Sequence, residues 1–207
     1  PSDAKRIKDL QKVDYKDIIV TTSGSEAVMF AMLTICDPGD QVIVMEPFYT
    51  NYNAFAIQYG VELVPISTTI ENGFAVPPIE EFEKYITPKT KAILLCNPGN
   101  PTGALYPQES MEKLGDIVKK HNIFLLSDEV YREFCYSNTP HFSAMQIKGA
   151  EQNVLLLDSV SKRYSMCGAR IGCIVSKNKE VMDAVMRLAQ SRLCSPLVEQ
   201  VAAEAAI

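Results

Sequence analysis

The chain alternates short runs of apolar residues with longer stretches in which apolar positions recur every three to four residues. Seven runs read as strands: IIVTT (18–22), QVIVME (41–46), VELVPI (61–66), KAILLC (91–96), IFLLSD (123–128), VLLLDS (154–159) and RIGCIVS (170–176). Between them the helical period predicts helices over 25–36, 49–59, 78–86, 107–121 and 178–193. Ser195-Pro196 reads as an N-cap with proline at the first helical position, opening one further helix. Strands and helices in alternation are the pattern of a wound α/β sheet. The strand runs are almost continuously apolar, which implies burial on both faces and a mostly parallel sheet. The link between residue 162 and the last run has no room for a crossover helix, so that strand is expected to be antiparallel. The predicted architecture is therefore a three-layer α/β/α unit on a mostly parallel seven-stranded sheet with one antiparallel strand. It is read as one domain over residues 1–207.

With 47% hydrophobic and 22% charged residues over 207 positions, the composition is that of an ordinary globular chain. A net charge of -5 argues against a general nucleic-acid or membrane-surface role. No signal peptide or spanning segment is visible, and a cytoplasmic protein is expected. The six cysteines (36, 96, 135, 167, 173, 194) form no CxxC pair and read as reduced core thiols. His121 and His141 lack metal-ligand spacing, and His121 closes a helical pattern, where a cation suits the dipole. The chain opens at Pro1 and stops inside the helical run EQVAAEAAI, so a fragment is expected.

The chemistry gathers at strand ends, where open α/β sheets bind ligands. After the sixth run, Ser159-Val-Ser161-Lys162 puts an amine between two hydroxyls, with Arg170 eight residues on. A desolvated lysine becomes nucleophilic toward carbonyls, and hydroxyls with a guanidinium grip phosphate oxygens. A Schiff-base amine beside a phosphate grip is what pyridoxal phosphate requires. An exposed lysine in a serine-rich turn is the plainer reading of this segment alone. Thr22-Ser23-Gly24-Ser25-Glu26 opens a helix whose free N–H groups favour an anion, or simply caps it. Glu46-Pro47-Phe48-Tyr49-Thr50-Asn51-Tyr52 offers a ring for stacking, although any one tyrosine there suits a core face. Cys96-Asn97-Pro98-Gly99-Asn100-Pro101-Thr102-Gly103 makes a rigid turn, open to cis X–Pro bonds, from which Asn100 can present its amide. Asp128, closing the apolar run IFLLS, needs a partner or caps a helix. A protonated pyridine nitrogen would serve, with Tyr131 donating to the ring oxygen, while Glu129 reads as a structural or solvated neighbour.

The ordered set SGSEA, PFYTNY, NPGNPTG, SDEVY and SVSKRYSMCGARIG resembles the fold-type I, pyridoxal-phosphate-dependent aminotransferases of the class I/II, aspartate aminotransferase-like group. Each motif alone is weak, but all of them in order across nearly the whole chain are specific. The resemblance implies that Lys162 holds the cofactor as an internal aldimine and then shuttles the substrate proton. It implies that Asp128 pairs with the pyridinium, that Asn100 and Tyr131 bond the phenolic oxygen, and that Tyr49 stacks on the ring. Gly24 and Ser25, with Ser159, Ser161 and Arg170, would hold the phosphate, and Glu26 is counted with them as cofactor-binding. Lys162, Asp128 and Tyr131 are the expected catalytic residues. The substrates implied are an amino acid and a 2-oxo acid, in a homodimer approached at Arg192–Pro196.

Members of that group run to roughly twice this length, with a second, smaller domain carrying a carboxylate-binding arginine for which no candidate is visible here. The expectation is thus a cofactor-binding domain that transaminates poorly alone. A carbon–sulfur β-lyase of the same fold shares every motif. A ligand-sensing domain of a transcriptional regulator would need a basic helical module upstream, for which residues 1–17 are too short. A degenerate scaffold is disfavoured by the intact Lys162, Asp128, Tyr131, Asn100 and Arg170.

Overall fold

The structure, a computed structural model, describes residues 13–207. The strands are β1 (Ile18–Thr21), β2 (Gln41–Glu46), β3 (Glu62–Ser67), β4 (Thr90–Cys96), β5 (Phe124–Asp128), β6 (Val154–Ser159) and β7 (Gly172–Val175). The helices are α1 (Ser23–Ile35), α2 (Asn51–Tyr59), α3 (Ile79–Tyr85), α4 (Gln108–His121), α5 (Val160–Arg163), α6 (Lys179–Arg192) and α7 (Leu197–Ala206). All seven strands join one sheet in the order β1-β7-β6-β5-β4-β2-β3. Every pairing is parallel except the two that β7 makes, with β1 and with β6. The predicted architecture and the single reversed strand are therefore present.

Two-residue alternation distributes each strand between two cores. Val42, Val44, Ala92, Leu94, Leu126, Leu155 and Leu157 face α1, α2 and α6. Their neighbours Ile43, Met45, Ile93, Leu95, Leu125, Val154 and Leu156 face α3 and α4. This double burial explains why the strands read as unbroken apolar runs. In α4, Met111, Leu114, Ile117 and Val118 fall on one helical stripe and are buried, while the intervening charges face solvent. Asn122 then ends the helix in the left-handed conformation, and its N–H bonds back to Val118 and Lys119.

Four local expectations change. Pro196 is the N-cap of α7 rather than its first helical residue, because the Ser195 hydroxyl accepts from Arg192 Nη1 at 2.9 Å and caps nothing. The last strand begins at Gly172, since Arg170 sits in the left-handed region (φ 56) and cannot extend a ladder. Residues 160–163 form a helical turn that has too few positions to show a period. Only Cys96 among the cysteines is fully buried, and Cys167 and Cys194 are exposed, so the six are free thiols but not all core.

The position of β7 fixes where the cleft forms. Gly172 lies opposite Thr21 of β1 and Ser159 of β6, so the ends of those two strands meet at the start of β7. A Cβ on Gly172 would fall 2.5 Å from the Ser23 carbonyl carbon, 2.6 Å from Gly24 N and 2.8 Å from the Asp158 carbonyl oxygen. All three are backbone atoms, which cannot rotate away. Gly172→Ala should therefore lower unfolding stability by about 2 kcal/mol or more in urea titrations. Gly168→Ala, with open space around it, should stay within about 0.5 kcal/mol. Equal effects of the two would contradict the close-approach argument.

Candidate active site

A cavity of about 320 Å³ opens at the carboxyl ends of β1, β4, β5 and β6. The first turn of α1 forms one wall. Its leading N–H groups have no acceptor one turn back, so this end of the helix favours an anion. Gly24 approaches β6 closely, with its Cβ position 3.4 Å from the Ser159 side chain. Ser23 is buried in the left-handed region (φ 80), and its hydroxyl oxygen has no partner among the described residues. A serine held there costs about 1 kcal/mol of backbone strain. Ser23 lies within the helix-opening cluster read from the sequence but was not counted among the cofactor-binding residues, and its positive φ has no signature in composition. Ser25 also lines the cavity. Glu26 does not: its carboxylate accepts from Thr22 N at 2.6 Å and Arg192 Nε at 3.0 Å, which ties α1 to α6. Its side chain, expected with the cofactor-binding residues, is engaged in capping α1 and in an ion pair with α6.

The opposite wall comes from β6 and α5. Ser159 is the N-cap of α5, accepting from Ser161 N at 2.9 Å, and its hydroxyl donates to Ser161 Oγ at 2.6 Å. The cap commits Ser159 and leaves the Ser161 proton free for a ligand. Lys162 lines the cavity, with Nζ 5.8 Å from the Tyr131 ring centre. The residue is exposed, contrary to the water-poor position expected from the strand, because α5 lifts it off the sheet and over the cleft. Arg170 also lines the cavity and holds the Cys167 carbonyl through Nη1 at 2.9 Å.

The floor is Asp128. Its side chain is buried at the end of β5, where Oδ2 accepts from Tyr52 Oη at 2.7 Å and Oδ1 from Val130 N at 3.3 Å. Burial pushes its pKa up to about 6, against the pull of Tyr52 and of Lys162. Tyr52 is fully buried on α2. It belongs to the PFYTNY cluster, where a core position was the plainer reading, and its hydroxyl makes that core position part of the site. Tyr49 stands edge-on to it at 5.4 Å and receives a hydrogen bond from Asn51 Nδ2 at 2.7 Å. Asn100 Nδ2 and Tyr131 Oη converge from two loops at 3.5 Å. The Asn97-Pro98 and Asn100-Pro101 bonds of the first loop are both cis.

Glu129 is fully buried rather than solvated. Its Oε1 accepts from Ser127 Oγ, Ser143 Oγ and Ala144 N, while Oε2 lies 3.7 Å from His141 Nε2. Burial raises its pKa to about 7 despite those donors. Of the predicted site residues, Gly24, Ser25, Tyr49, Asn100, Asp128, Tyr131, Ser159, Ser161, Lys162 and Arg170 all line one cavity. Among the described residues no group of three or more His, Cys, Asp and Glu is placed to hold a metal ion. No helix among them is long and apolar enough to cross a membrane.

Fold and site define an α/β protein with a strand-end cleft that combines an amine, a buried carboxylate, phenols and an anion cup. The model of the family described as aminotransferase class I and II matches residues 4–207, and the chain belongs to that family. It is 36% identical over 181 residues to the aspartate/prephenate aminotransferase of Thermus thermophilus, covering 87% of this chain and 46% of that protein. With the aspartate aminotransferase of Thermotoga maritima it shares 34% over 203 residues, covering 97% and 53%. The solved structure of the Thermotoga maritima enzyme superposes with a TM-score of 0.89 at 31% identity, over 97% of this chain and 53% of that one. A Thermus thermophilus aspartate aminotransferase mutant gives 0.87 at 34%, over 95% and 54%. The chain spans about half the length of the curated relatives it matches.

The two raised carboxyls set a pH dependence. Without ligand, Glu129 keeps its proton up to about pH 7 and Asp128 up to about pH 6, against ordinary values of 4.5 and 3.8. Between the ordinary and raised values the folded chain binds protons that the unfolded chain has released, so stability rises as pH falls. For Glu129 the window runs from about 7 to 4.5, and for Asp128 from about 6 to 3.8. Each carboxyl left ionised at pH 8 costs on the order of 1–3 kcal/mol. Urea midpoints should therefore be higher at pH 5.5 than at pH 8, and Glu129→Gln should remove most of that gain. A variant with the parental gain would show that Glu129 does not titrate in this range.

Proposed function

We propose that this chain is the cofactor-binding part of a pyridoxal-phosphate-dependent enzyme that moves an amino group between an amino acid and a 2-oxo acid. The observation that carries the reading is Asp128: a buried carboxylate at a strand end, in the same cavity as Lys162 and with no cation in ion-pair contact among the described residues. A cationic ring nitrogen is the partner such a group lacks. The donor set fits the rest of the cofactor. The orphan Ser23 hydroxyl, the first turn of α1, Ser25, the free proton of Ser161 and Arg170 suit a phosphate. The converging Asn100 and Tyr131 suit a phenolic oxygen, and Tyr49 offers a ring face or edge.

When bound, pyridoxal phosphate supplies an aldehyde for amines and a ring that accepts electrons from the substrate α-carbon. Lys162 Nζ would be the amine that holds the aldehyde, and the base that takes and returns the proton of the substrate α-carbon. Asp128 would pair with a protonated ring nitrogen and so favour an electron-poor ring. Tyr52, donating to Oδ2, fixes the carboxylate's orientation. Asn100 and Tyr131 would orient the ring through its phenolic oxygen. The relatives named above are aminotransferases, which favours amino transfer over carbon–sulfur lysis. A homodimer is inferred as well, supported by the exposed Leu193, Leu197, Val198 and Val201 near the end of α6 and along α7. The cytoplasm is the proposed location.

The test is the visible spectrum of the protein with added pyridoxal phosphate. A band that Lys162→Ala abolishes and Asp128→Asn weakens at least tenfold in affinity is the expected result. No band in the parent, or a band that survives loss of Lys162, would overturn the assignment.

A further inference from the structure

Asp158 is the penultimate residue of β6, just before Ser159, and is 4% exposed. Its Oδ2 receives two guanidinium groups: Arg163 Nη2 at 2.7 Å and Arg132 Nη2 at 3.0 Å. Its Oδ1 accepts from Ser159 N at 2.7 Å. Arg132 follows Tyr131 in the turn after β5, and Arg163 follows Lys162 in α5. Both segments are short and locally weak. The turn is closed by Arg132 N on the Glu129 carbonyl and Phe134 N on the Tyr131 carbonyl, and α5 is a single helical turn. Neither holds its shape by secondary structure alone. One buried anion thus joins the two segments that carry the phenol and the amine.

We propose that Asp158 is a positioning residue, and that its clamp on Arg132 and Arg163 holds Tyr131 and Lys162 in fixed relation across the mouth of the cleft. The proposal rests on the functional reading above for its catalytic meaning, but the clamp itself is a property of the protein without ligand. Charge-assisted bonds from two arginines to one largely desolvated carboxylate are strong and directional, and removing one member leaves buried charge uncompensated. Asp158 faces Cys173 across the β6–β7 ladder, while Asp128 ends the neighbouring strand. Arg163 is braced further by its stacking on Tyr164 at 5.1 Å.

Deuterium exchange on the full chain tests the coupling before any cofactor is added. Arg163→Gln should speed exchange of the amides of Arg132 and Phe134, and Arg132→Gln should speed those of Tyr164 and Ser165. If each variant loosens only its own segment, the clamp is refuted. Asp158→Asn should loosen both segments and weaken pyridoxal phosphate at least tenfold by its visible band. The pH midpoint of that band gives a sign that a merely structural role would not give. A loosened Tyr131 hydroxyl, no longer stabilising the ring oxygen's negative form, raises the midpoint. Two guanidinium charges left without their anion would lower it through space. A raised midpoint supports positioning, whereas a lowered or parental one overturns it. Where Asp158→Asn does not fold, the two arginine variants, each at a partly exposed position, still decide through exchange. A parent with no band removes the functional reading; a parent with a band and an Asp158→Asn variant of parental affinity removes only the clamp.

Discussion

The site depends on one strand running backwards between two others. Because β7 is inserted antiparallel between β1 and β6, those two strands run the same way and end at the same edge, one strand apart. The helix after β1 brings an anion-favouring N-terminus, and the helical turn after β6 brings Lys162. Their proximity is a consequence of sheet order, not of any direct attraction between the segments. The glycine at the start of β7 lets the Ser23-Gly24 backbone lie against the Asp158 carbonyl without an intervening side chain. A sheet in which β1 lay elsewhere would leave the cup and the amine on separate elements.

Three buried carboxylates near the ends of β5 and β6 show how differently one charge can be accommodated. Glu129 has three donors on one oxygen and a histidine near the other, and its pKa is raised to about 7. Asp158 has two arginines and a backbone N–H. Asp128 has a tyrosine hydroxyl and a long backbone contact, and its pKa rises to about 6. Burial is common to all three, so the differences come from partners. Glu129 bridges the end of β5 to the Ser143 turn, a structural assignment. Asp158 is paired within the fold, one carboxylate between two guanidiniums.

Much of this was legible in the sequence for identifiable reasons. Strands buried on both faces carry unbroken apolar runs, so β2, β4, β5 and β6 could be placed almost to the residue. Residues at strand ends carry the chemistry in an open α/β sheet, so ten of the predicted site residues do meet in one cavity. What was not legible depends on three-dimensional pairing. Tyr52 reads as an ordinary core tyrosine until α2 docks and aims its hydroxyl at Asp128, 76 positions away. Glu26 is counted with the cup through the family resemblance, but its carboxylate pairs with Arg192, 166 positions on. Asp158 is invisible within an apolar strand because both its partners lie on other segments. Lys162 follows a buried strand, yet a helical turn too short to leave a periodic trace carries it out to the cleft.

The distribution of the arginines sharpens the meaning of Asp128. Its register partner on β6 is Leu157, so Asp158, the next residue, points to the opposite face of the sheet. Arg132 and Arg163 both pair with Asp158, while Arg170 lines the cavity with no ion pair to Asp128 among the described residues. A fold selected only for stability would have little reason to leave the buried Asp128 without one, since an unpaired buried charge is among the costlier features a core can hold. Asp158 in fact adds to the repulsion that raises the Asp128 pKa. Holding both arginines on Asp158 therefore does two things at once. It orders the segments that carry Lys162 and Tyr131, and it leaves Asp128 without an ion pair among the described residues. On the function proposed above, the stability forgone at Asp128 would be affinity available to a cationic ligand.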